Sequence, residues 1–273
     1  MPLRDAHNLP IAAVILTGGS SGIGKSIITH IGRVDPSVLI CNLSRVEPTG
    51  FEAELNLRHT TCDLSNNRSR EAAIEQIMRV LVEAKPEGRI LLINNAGFGA
   101  YGRAIDLSRA QQRAIVEVNV TAVVDLTAAF LPEIKQRGGA IINVASTAAF
   151  QPTPFMAAYG AAKSFVLNWG MALREELRGS SVHVLTVCPG PTVTAFFERA
   201  GMAKGAIPGG FVESSEVVVQ TMFRALERGR GVVVSGWPNK ITTALASTIP
   251  LTWVAWISGR ILARLRLKPS QPA

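Results

Sequence analysis

Short apolar runs recur along this chain at intervals that leave room for a helix between successive runs. The runs are apolar throughout rather than alternating with polar residues, as expected for strands that helices cover on both faces. Alternation of such strands with helices predicts an α/β fold with a doubly wound parallel sheet of about seven strands. We place the strands at 11–16, 38–43, 90–93, 140–144, 182–187 and 232–234, with a further short strand at 60–62.

Two longer amphipathic segments between these runs are predicted to be helices. Apolar residues at three- and four-residue intervals predict helices over 69–83 and 110–136. Leu131-Pro132 falls inside the second segment and is expected to kink or shorten that helix. The length of 273 residues suits one domain with a substantial core.

Charge and cysteine content exclude several classes of protein. The chain carries 28 Lys and Arg against 20 Asp and Glu, and after Glu227 seven basic residues follow without an acidic one. The main body is therefore nearly neutral, and no nucleic-acid-binding surface is predicted. Cys41, Cys62 and Cys188 lie in or beside apolar runs without ligand spacing, which predicts buried thiols and no metal site. The N-terminal residues lack the layout of a secretory signal, so we expect a cytoplasmic protein.

The first apolar run ends in a glycine-rich turn, TGGSSGIG at 17–24, and a helix is predicted to begin there. Glycines let the backbone approach a pyrophosphate, whose charge the exposed N–H groups of a helix N-terminus stabilise. This pattern predicts a dinucleotide site, and the alternative is a plain tight turn. The predicted contacts are Gly18, Ser20, Ser21, Gly22, Ile23 and Gly24.

The end of the second run indicates which dinucleotide binds. In this kind of fold an acidic residue there would bind the ribose hydroxyls of NAD, whereas an Arg suits a 2′-phosphate. The run ends at Ser44-Arg45 without an acid. We therefore predict NADP(H) with contacts at Ser44 and Arg45, and disfavour NAD(H). The alternative is that Arg45 is a solvated loop residue.

Tyr159 and Lys163 are four residues apart, a spacing that places both side chains on the same face of a helix. A phenol has an ordinary pKa near ~10, and a neighbouring ammonium lowers that pKa, which makes the phenol a usable acid or base. Ser146 follows the run 140–144, where a parallel sheet presents residues to a ligand. Its hydroxyl can hydrogen-bond a substrate carbonyl.

These motifs occur in a fixed order between residues 17 and 194, and in that order the sequence resembles the short-chain dehydrogenase/reductase family. The resemblance is to the single-domain, NADP-preferring branch, and it implies a Rossmann fold and an oxidoreductase. The residues that carry it are the TGGSSGIG turn, Asp63 in CDLS, Asn94 to Gly97, Asn119, Ser146, Tyr159-Gly-Ala-Ala-Lys163 and Pro189 to Thr194.

The resemblance also implies a role for each matching residue. Tyr159 would donate the proton, Lys163 would lower the pKa of Tyr159 and bind the nicotinamide ribose, and Ser146 would position the carbonyl. Asn119 would hold a water that links Lys163 to solvent. Thr194 could instead be a helix N-cap. The further implied cofactor contacts are Asp63, Leu64, Asn95, Ala96, Gly97, Tyr159, Lys163, Pro189, Gly190, Thr192 and Thr194.

An apolar segment after Thr194 predicts the substrate class. Residues 195–212 resemble a mobile lid with glycine hinges, and such lids exclude water from greasy substrates. The segment predicts a carbonyl reductase acting on a hydrophobic ketone or aldehyde, or on the alcohol in reverse. The apolar residues expected to contribute are Phe196, Phe197, Met202, Ile207 and Phe211, with Phe150, Phe155 and Met156 from the preceding loop.

The C-terminal residues 241–273 are predicted to be a helical tail of the domain formed by residues 1–240. The uncharged run 241–259 is interrupted by Pro250, which argues against a membrane span. A projection puts apolar residues on one arc and basic residues on another, which suits an interfacial helix on an anionic membrane. The alternative is a helix that packs on its own body or on a dimer partner. The apolar arc holds Leu251, Val254, Ile261, Leu262 and Leu265, and the basic positions are Arg260, Arg264, Arg266 and Lys268.

We therefore predict an NADPH-dependent oxidoreductase with a Ser-Tyr-Lys-Asn site, acting on a small molecule as a homodimer or homotetramer. A non-catalytic NADP-binding sensor or scaffold on the same fold is the alternative, and loss of Tyr159 or Lys163 would have favoured it. A sugar-nucleotide epimerase or dehydratase is a third candidate, but that branch expects a different glycine spacing.

Overall fold

The computed structural model of the chain describes residues 3–7, 9–52, 54–202 and 212–264. Seven parallel strands form one sheet in the order β3-β2-β1-β4-β5-β6-β7. Because the order steps outward in both directions from β1 and β4, the sheet is doubly wound and the predicted fold class is confirmed. The strands are β1 (Ile11–Thr17), β2 (Leu39–Ser44), β3 (Leu57–Thr61), β4 (Arg89–Asn94), β5 (Gly139–Val144), β6 (Val182–Cys188) and β7 (Val232–Val234).

Helices cover both faces of the sheet, which is why the strands are apolar throughout. On one face Ile27 of α1 and Met222 of α7 are fully buried, and on the other Ile77 of α2 and Phe130 of α4 are fully buried. Burying a side chain of this kind contributes about 1.5–3 kcal/mol relative to leaving it exposed. The helices are α1 (Gly22–Val34), α2 (Asn67–Ala84), α3 (Arg109–Val116), α4 (Ala122–Arg137), α5 (Ala157–Glu176), α6 (Phe196–Arg199), α7 (Ser215–Glu227), α8 (Trp237–Thr248) and α9 (Leu251–Arg264).

The helix predicted over 110–136 is interrupted, but not where its proline lies. A π-helical turn at Glu117–Thr121 separates α3 from α4, and α4 continues through Pro132 to Arg137. The prediction that Leu131-Pro132 shortens the helix is therefore wrong. Ala128, whose carbonyl loses its donor to the proline, is exposed, so water can supply that hydrogen bond.

Residues 109–137 together are long and apolar enough to cross a membrane. However, Ile115, Phe130 and Ile134 are at most 1% exposed and pack inside the protein. Their hydrophobicity is therefore explained by the core on this face of the sheet.

The edge strand and the following helix begin earlier than the sequence predicts. β3 begins at Leu57 rather than at residue 60, because at the sheet edge it is only partly buried and lacks a continuous apolar run. α2 begins at Asn67, since Asn66 Oδ1 accepts a hydrogen bond from Ser69 N at 3.0 Å and caps the helix.

The C-terminal residues form two helices that meet at Ile249-Pro250. Within the predicted apolar arc, Val254 is buried, whereas Leu251 and Ile261 are exposed. α9 therefore packs on the body through part of that arc, where Val254 and Ser258 lie buried one helical turn apart. Leu265, Arg266 and Lys268 lie outside the described residues, as does the side chain of Arg264.

Candidate active site

The glycine-rich turn lies between β1 and α1 and is tied to the neighbouring strands. Thr17 Oγ1 accepts hydrogen bonds from Asn95 N at 3.0 Å and Ala96 N at 2.9 Å. Gly19 N donates to Asn42 Oδ1 at 2.8 Å. A Cβ at Gly24 would overlap Gly18 O, so only glycine lets α1 begin this close to the turn. The turn is therefore held rigidly at the point where the strand order reverses, which is where this fold binds ligands.

A cavity of about 960 Å³ extends from this turn. It is lined by every residue that the sequence predicts to bind the cofactor, together with Ser146, but not by Asn119. Those residues are Gly18, Ser20, Ser21, Gly22, Ile23, Gly24, Ser44, Arg45, Asp63, Leu64, Asn95, Ala96, Gly97, Ser146, Tyr159, Lys163, Pro189, Gly190, Thr192 and Thr194. The topology thus brings together residues from seven segments that are distant in sequence.

Arg45 and Asp63 lie at the part of the cavity formed by the ends of β2 and β3. Arg45 is exposed, and its positive charge contributes to the lowered pKa of Asp63. The larger cause is Ser65, whose backbone N and Oγ donate to Asp63 Oδ1 at 3.0 and 2.8 Å. The carboxylate is therefore ionised and oriented, and the Arg45 guanidinium is available to an anionic ligand.

Ser146 and Tyr159 meet inside the cavity. Ser146 follows β5 and caps a short 3₁₀ turn, where its Oγ accepts from Ala148 N at 3.1 Å. Burial raises the pKa of Tyr159 to about 12, and a hydrogen bond with Ser146 acts in the opposite direction. The phenol therefore keeps its proton at neutral pH, which is the state that a proton donor requires.

Lys163 is 4% exposed and lies one helical turn from Tyr159 on α5. Its Nζ donates to Val144 O at 2.9 Å and lies 5.8 Å from the centroid of the Tyr159 ring. Burial lowers the pKa of Lys163 to about 8, and the nearby Cys188 opposes that change. The amine is thus still mostly protonated at pH 7, and its charge lies next to the phenol.

Asn119 lies behind the cavity, in the π-helical turn between α3 and α4. Its Nδ2 donates to Phe98 O at 2.9 Å and Ile115 O at 2.8 Å. Its Oδ1 is buried and has no partner within the described part of the chain. A Cβ on Gly97 would lie 2.6 Å from Asn119 Oδ1 and 3.0 Å from Lys163 Nζ, so both polar atoms face the space above Gly97. An unpartnered acceptor beside an ammonium can hold a water.

Within the lid, the structure describes residues 195–202 and residue 212. Phe196, Phe197 and Met202 line the cavity, and the rings of Phe196 and Tyr159 are 5.1 Å apart. Ile207 and Phe211 lie outside the described residues. Thr194 Oγ1 accepts from Phe196 N at 3.3 Å, so Thr194 both lines the cavity and bonds the first residue of α6.

Two aromatic residues expected in the pocket lie elsewhere. Phe150 packs against a core cluster, and Phe155 stacks on Tyr101 with ring centroids 5.8 Å apart. Neither lines the cavity, whereas Met156 does. The expectation rested only on their place in the sequence between Ser146 and Tyr159, and the 3₁₀ turn that ends at Phe150 directs this part of the chain into the core instead.

The C-terminal helices supply part of the pocket wall, a role that the sequence did not predict. Leu245 and Ile249 at the end of α8 line the cavity, as do Ile257 and Ile261 of α9. Arg199 of α6 also lines it, with Nη1 3.3 Å from Ser21 Oγ. The apolar run beyond residue 240 was the available signal, but nothing local indicated that it folds back over the site.

Two of the three cysteines lie at the site, since Cys62 lines the cavity and Cys188 is close to Lys163. All three are free and buried, and burial raises the pKa of Cys41 and of Cys188 to about 12. Thiols of this kind are poor nucleophiles. Across residues 3–202 and 212–264, apart from positions 8 and 53, no group of three His, Cys, Asp or Glu residues could hold a metal ion.

A doubly wound sheet with a glycine-rich turn at its switch point, facing a Ser-Tyr-Lys cluster, defines a dinucleotide-dependent oxidoreductase. The sequence model of the short chain dehydrogenase family matches residues 12–204. This chain belongs to that family and is an NAD(P)-dependent enzyme.

Individual relatives agree with this assignment. The chain is 30% identical over 224 residues to the uncharacterized oxidoreductase DltE of Bacillus subtilis, covering 80% of this chain and 85% of that protein. It is 27% identical to dehydrogenase/reductase SDR family member 7B of Xenopus laevis, covering 97% and 87%. A short-chain dehydrogenase from Sphingobium yanoikuyae, solved in complex with NADPH, is 26% identical with a TM-score of 0.70, covering 96% and 99%.

Proposed function

We propose that this enzyme reduces a hydrophobic ketone or aldehyde to the alcohol with NADPH, or catalyses the reverse oxidation. The observation that carries the proposal is that Ser146, Tyr159 and Lys163 line the same cavity as the glycine-rich turn and the apolar side chains of α6, α8 and α9. A polar reaction centre and an apolar binding wall therefore share one space. We propose that residues 241–273 belong to the same domain as residues 1–240, because α8 and α9 complete this wall.

The residues around the turn fit a dinucleotide cofactor. The backbone comes close to the cavity at Gly24 and Gly97, where a Cβ would meet other atoms. The turn residues 18–24 would hold the pyrophosphate at the start of α1. Arg45 would hold the 2′-phosphate that distinguishes NADP(H), and the NADPH complex of the Sphingobium relative supports this choice.

When bound, NADPH supplies the hydride that reaches the carbonyl carbon. We assign the proton transfer to Tyr159, whose hydroxyl would donate a proton to the carbonyl oxygen. With the hydride on its carbon and the proton on its oxygen, the carbonyl group becomes an alcohol. Ser146 would hydrogen-bond the same oxygen and stabilise its developing negative charge. The Lys163 ammonium would stabilise the phenolate, and a water on Asn119 Oδ1 would return a proton through Lys163.

Replacing Arg45 with alanine is expected to weaken NADPH binding far more than NADH binding. A charge-assisted contact contributes about 1.5–3 kcal/mol, so the Kd for NADPH should rise about 10- to 150-fold. Titration of both nucleotides, followed by fluorescence, measures the effect. Arg68→Ala on α2 is the matched control, since Arg68 is exposed and does not line the cavity. Equal losses for NADPH and NADH in Arg45→Ala would contradict the assignment of Arg45.

A screen of NADPH oxidation against ketones and aldehydes of graded chain length tests the substrate class. We expect kcat/KM to rise with chain length, because each buried methylene contributes about 0.8 kcal/mol, or about fourfold. Phe196→Ala, which shortens the apolar wall beside Tyr159, should flatten this rise. A preference for sugars or anionic substrates would refute the proposal. Tight NADPH binding without turnover on any carbonyl would favour the non-catalytic sensor instead.

The expected homo-oligomer has a candidate surface on α5. Phe165 and Met171 are 40% and 49% exposed there, and the Phe165 ring stacks on Trp169 with centroids 6.4 Å apart. Exposed apolar side chains grouped on one helix suit association with a second copy. We propose a cytoplasmic homodimer or homotetramer that uses this helix.

A further inference from the structure

Helices α8 and α9 expose an unusually apolar surface, which we call the α8–α9 face. Three of the four tryptophans of the chain are on it, with exposed fractions of 71% for Trp237, 63% for Trp253 and 54% for Trp256. Its exposed aliphatic residues are Ile241, Leu245, Ile249, Leu251, Ile257 and Ile261. Exposed apolar side chains concentrated on two consecutive helices mark a place where something else binds.

The charge of the same face is entirely positive. No Asp or Glu follows Glu227 in the sequence, and Lys240 and Arg260 are both exposed on these helices. The Arg260 guanidinium lies 3.7 Å from the centroid of the Trp256 ring, so a cation and an aromatic side chain are presented together. Tryptophan beside basic residues is the composition of helices that lie at a membrane surface, where indole rings prefer the headgroup region.

The face is held in place by contacts on the opposite side of α9. Ser258 Oγ donates to Pro152 O at 3.0 Å, and Tyr101 Oη donates to Leu262 O at 2.6 Å. Val254 is also buried against the body. Because these residues fix the helix, the exposed side chains are presented on a preformed surface.

The α8–α9 face is continuous with the active-site cavity. Leu245, Ile249, Ile257 and Ile261 are exposed, and the same four residues line the cavity that contains Tyr159. A ligand dissolved in an apolar phase against this face would therefore meet the cavity without crossing water.

We propose that the α8–α9 face docks on the surface of an anionic phospholipid bilayer, and that the substrate enters the cavity from the lipid. The docking proposal is supported by the exposed residues of the α8–α9 face alone, whereas the proposal of substrate entry rests on the proposed function. A bilayer is favoured over a second copy of the chain. In a symmetric dimer through this face, the positive charges of Lys240 and Arg260 in both copies would lie close together and repel one another. Negative headgroups instead complement them.

Sedimentation with vesicles tests docking without any turnover measurement. The full chain is mixed with vesicles of phosphatidylcholine alone or with phosphatidylglycerol added, at low and high salt. We expect the protein to pellet with the anionic vesicles at low salt and to be released at high salt. Tryptophan emission should shift to the blue, and brominated lipid should quench it, because Trp253 and Trp256 enter the headgroup region. A protein that stays in the supernatant with anionic vesicles at low salt would overturn the proposal.

Two pairs of variants separate lipid docking from association with a second copy of the chain. Trp253→Ser with Trp256→Ser, and Lys240→Glu with Arg260→Glu, should each lower vesicle affinity about tenfold or more. The matched controls are Val82→Ser with Val217→Ser, exposed on α2 and α7, and Arg68→Glu with Arg79→Glu on α2. The controls should bind as the wild type does. If the tryptophan pair instead turned an oligomer into a monomer without changing vesicle binding, the face would belong to a second copy and the proposal would fail.

The entry step has its own measurement. A long-chain ketone incorporated in anionic vesicles should be reduced at a lower bulk concentration by the wild type than by the tryptophan pair. Both proteins should reduce a short, water-soluble ketone equally. If the enzyme bound vesicles but reduced neither ketone, docking would stand and the proposed function would fail. If the wild type and the tryptophan pair reduced the vesicle-borne ketone at equal rates, the proposal that substrate enters from the lipid would be overturned.

Discussion

Replacing Tyr159 with phenylalanine is expected to lower kcat by about 10²- to 10⁴-fold, the usual contribution of a positioned general acid. Phenylalanine keeps the ring that contacts Phe196, so the shape of the pocket is preserved and only the proton donor is lost. The Kd for NADPH should stay within a few-fold, because the hydroxyl is proposed to act in the transition state. Steady-state turnover on a verified carbonyl and nucleotide titration measure the two quantities separately.

Tyr101→Phe is the matched control, since the chain contains only two tyrosines. Tyr101 Oη donates a hydrogen bond to Leu262 O at 2.6 Å, and Tyr101 does not line the cavity. The control should therefore lose about 0.5–1.5 kcal/mol of unfolding free energy and keep kcat within a few-fold. Wild-type turnover in Tyr159→Phe would refute the assigned proton donor. If Tyr101→Phe lowered kcat as much as Tyr159→Phe does, the effect would not be specific to position 159.

The sheet could be predicted from the sequence because its strands are buried on both faces. β1, β2, β5 and β6 are almost wholly buried, so their sequences had to be apolar throughout. β3 differs from them in its surroundings. It lies at the edge of the sheet, has only one buried position, and was predicted with the wrong bounds.

The meeting of Ser146, Tyr159 and Lys163 in one cavity could be predicted because their spacing carries structural information. Tyr159 and Lys163 are four residues apart on α5, which places them on one helix face. Ser146 follows a strand whose carboxyl end opens on the cavity. The environment of these groups was not predictable. The raised pKa of Tyr159 and the lowered pKa of Lys163 both arise from burial, which depends on the fold around them.

The π-helical turn at Glu117–Thr121 and the pocket wall of α8 and α9 had no local signal. A π-helical turn differs from an α-helix by one hydrogen-bond step, and the residues 117–121 contain neither glycine nor proline. The position of α9 depends on single long-range contacts such as Ser258 Oγ with Pro152 O. Periodicity indicates which helix face is apolar, but it does not indicate what that face contacts.

Gly24→Ala is expected to abolish measurable nucleotide binding while the chain still folds. A Cβ at this position would overlap Gly18 O and lie 2.8 Å from Asn95 Nδ2. Both atoms belong to segments fixed by the Asn95–Thr17 hydrogen bonds, so the turn must move away from its binding geometry. Forcing an added methyl into packed surroundings costs about 1–3 kcal/mol of unfolding free energy, which a domain of this size can tolerate.

Gly32→Ala on the same helix gives the matched control for that substitution. A Cβ at Gly32 would lie 3.1 Å from Leu55 Cδ1, the end of a flexible side chain, and alanine favours a helix over glycine by about 0.5–1 kcal/mol. Gly32→Ala should therefore bind NADPH as the wild type does and unfold at an equal or higher denaturant concentration. Calorimetric titration and urea unfolding of both variants measure these effects. If Gly24→Ala bound NADPH with wild-type affinity, the turn would not hold the pyrophosphate, because a backbone displaced by a methyl group cannot keep its N–H groups on the same phosphate oxygens.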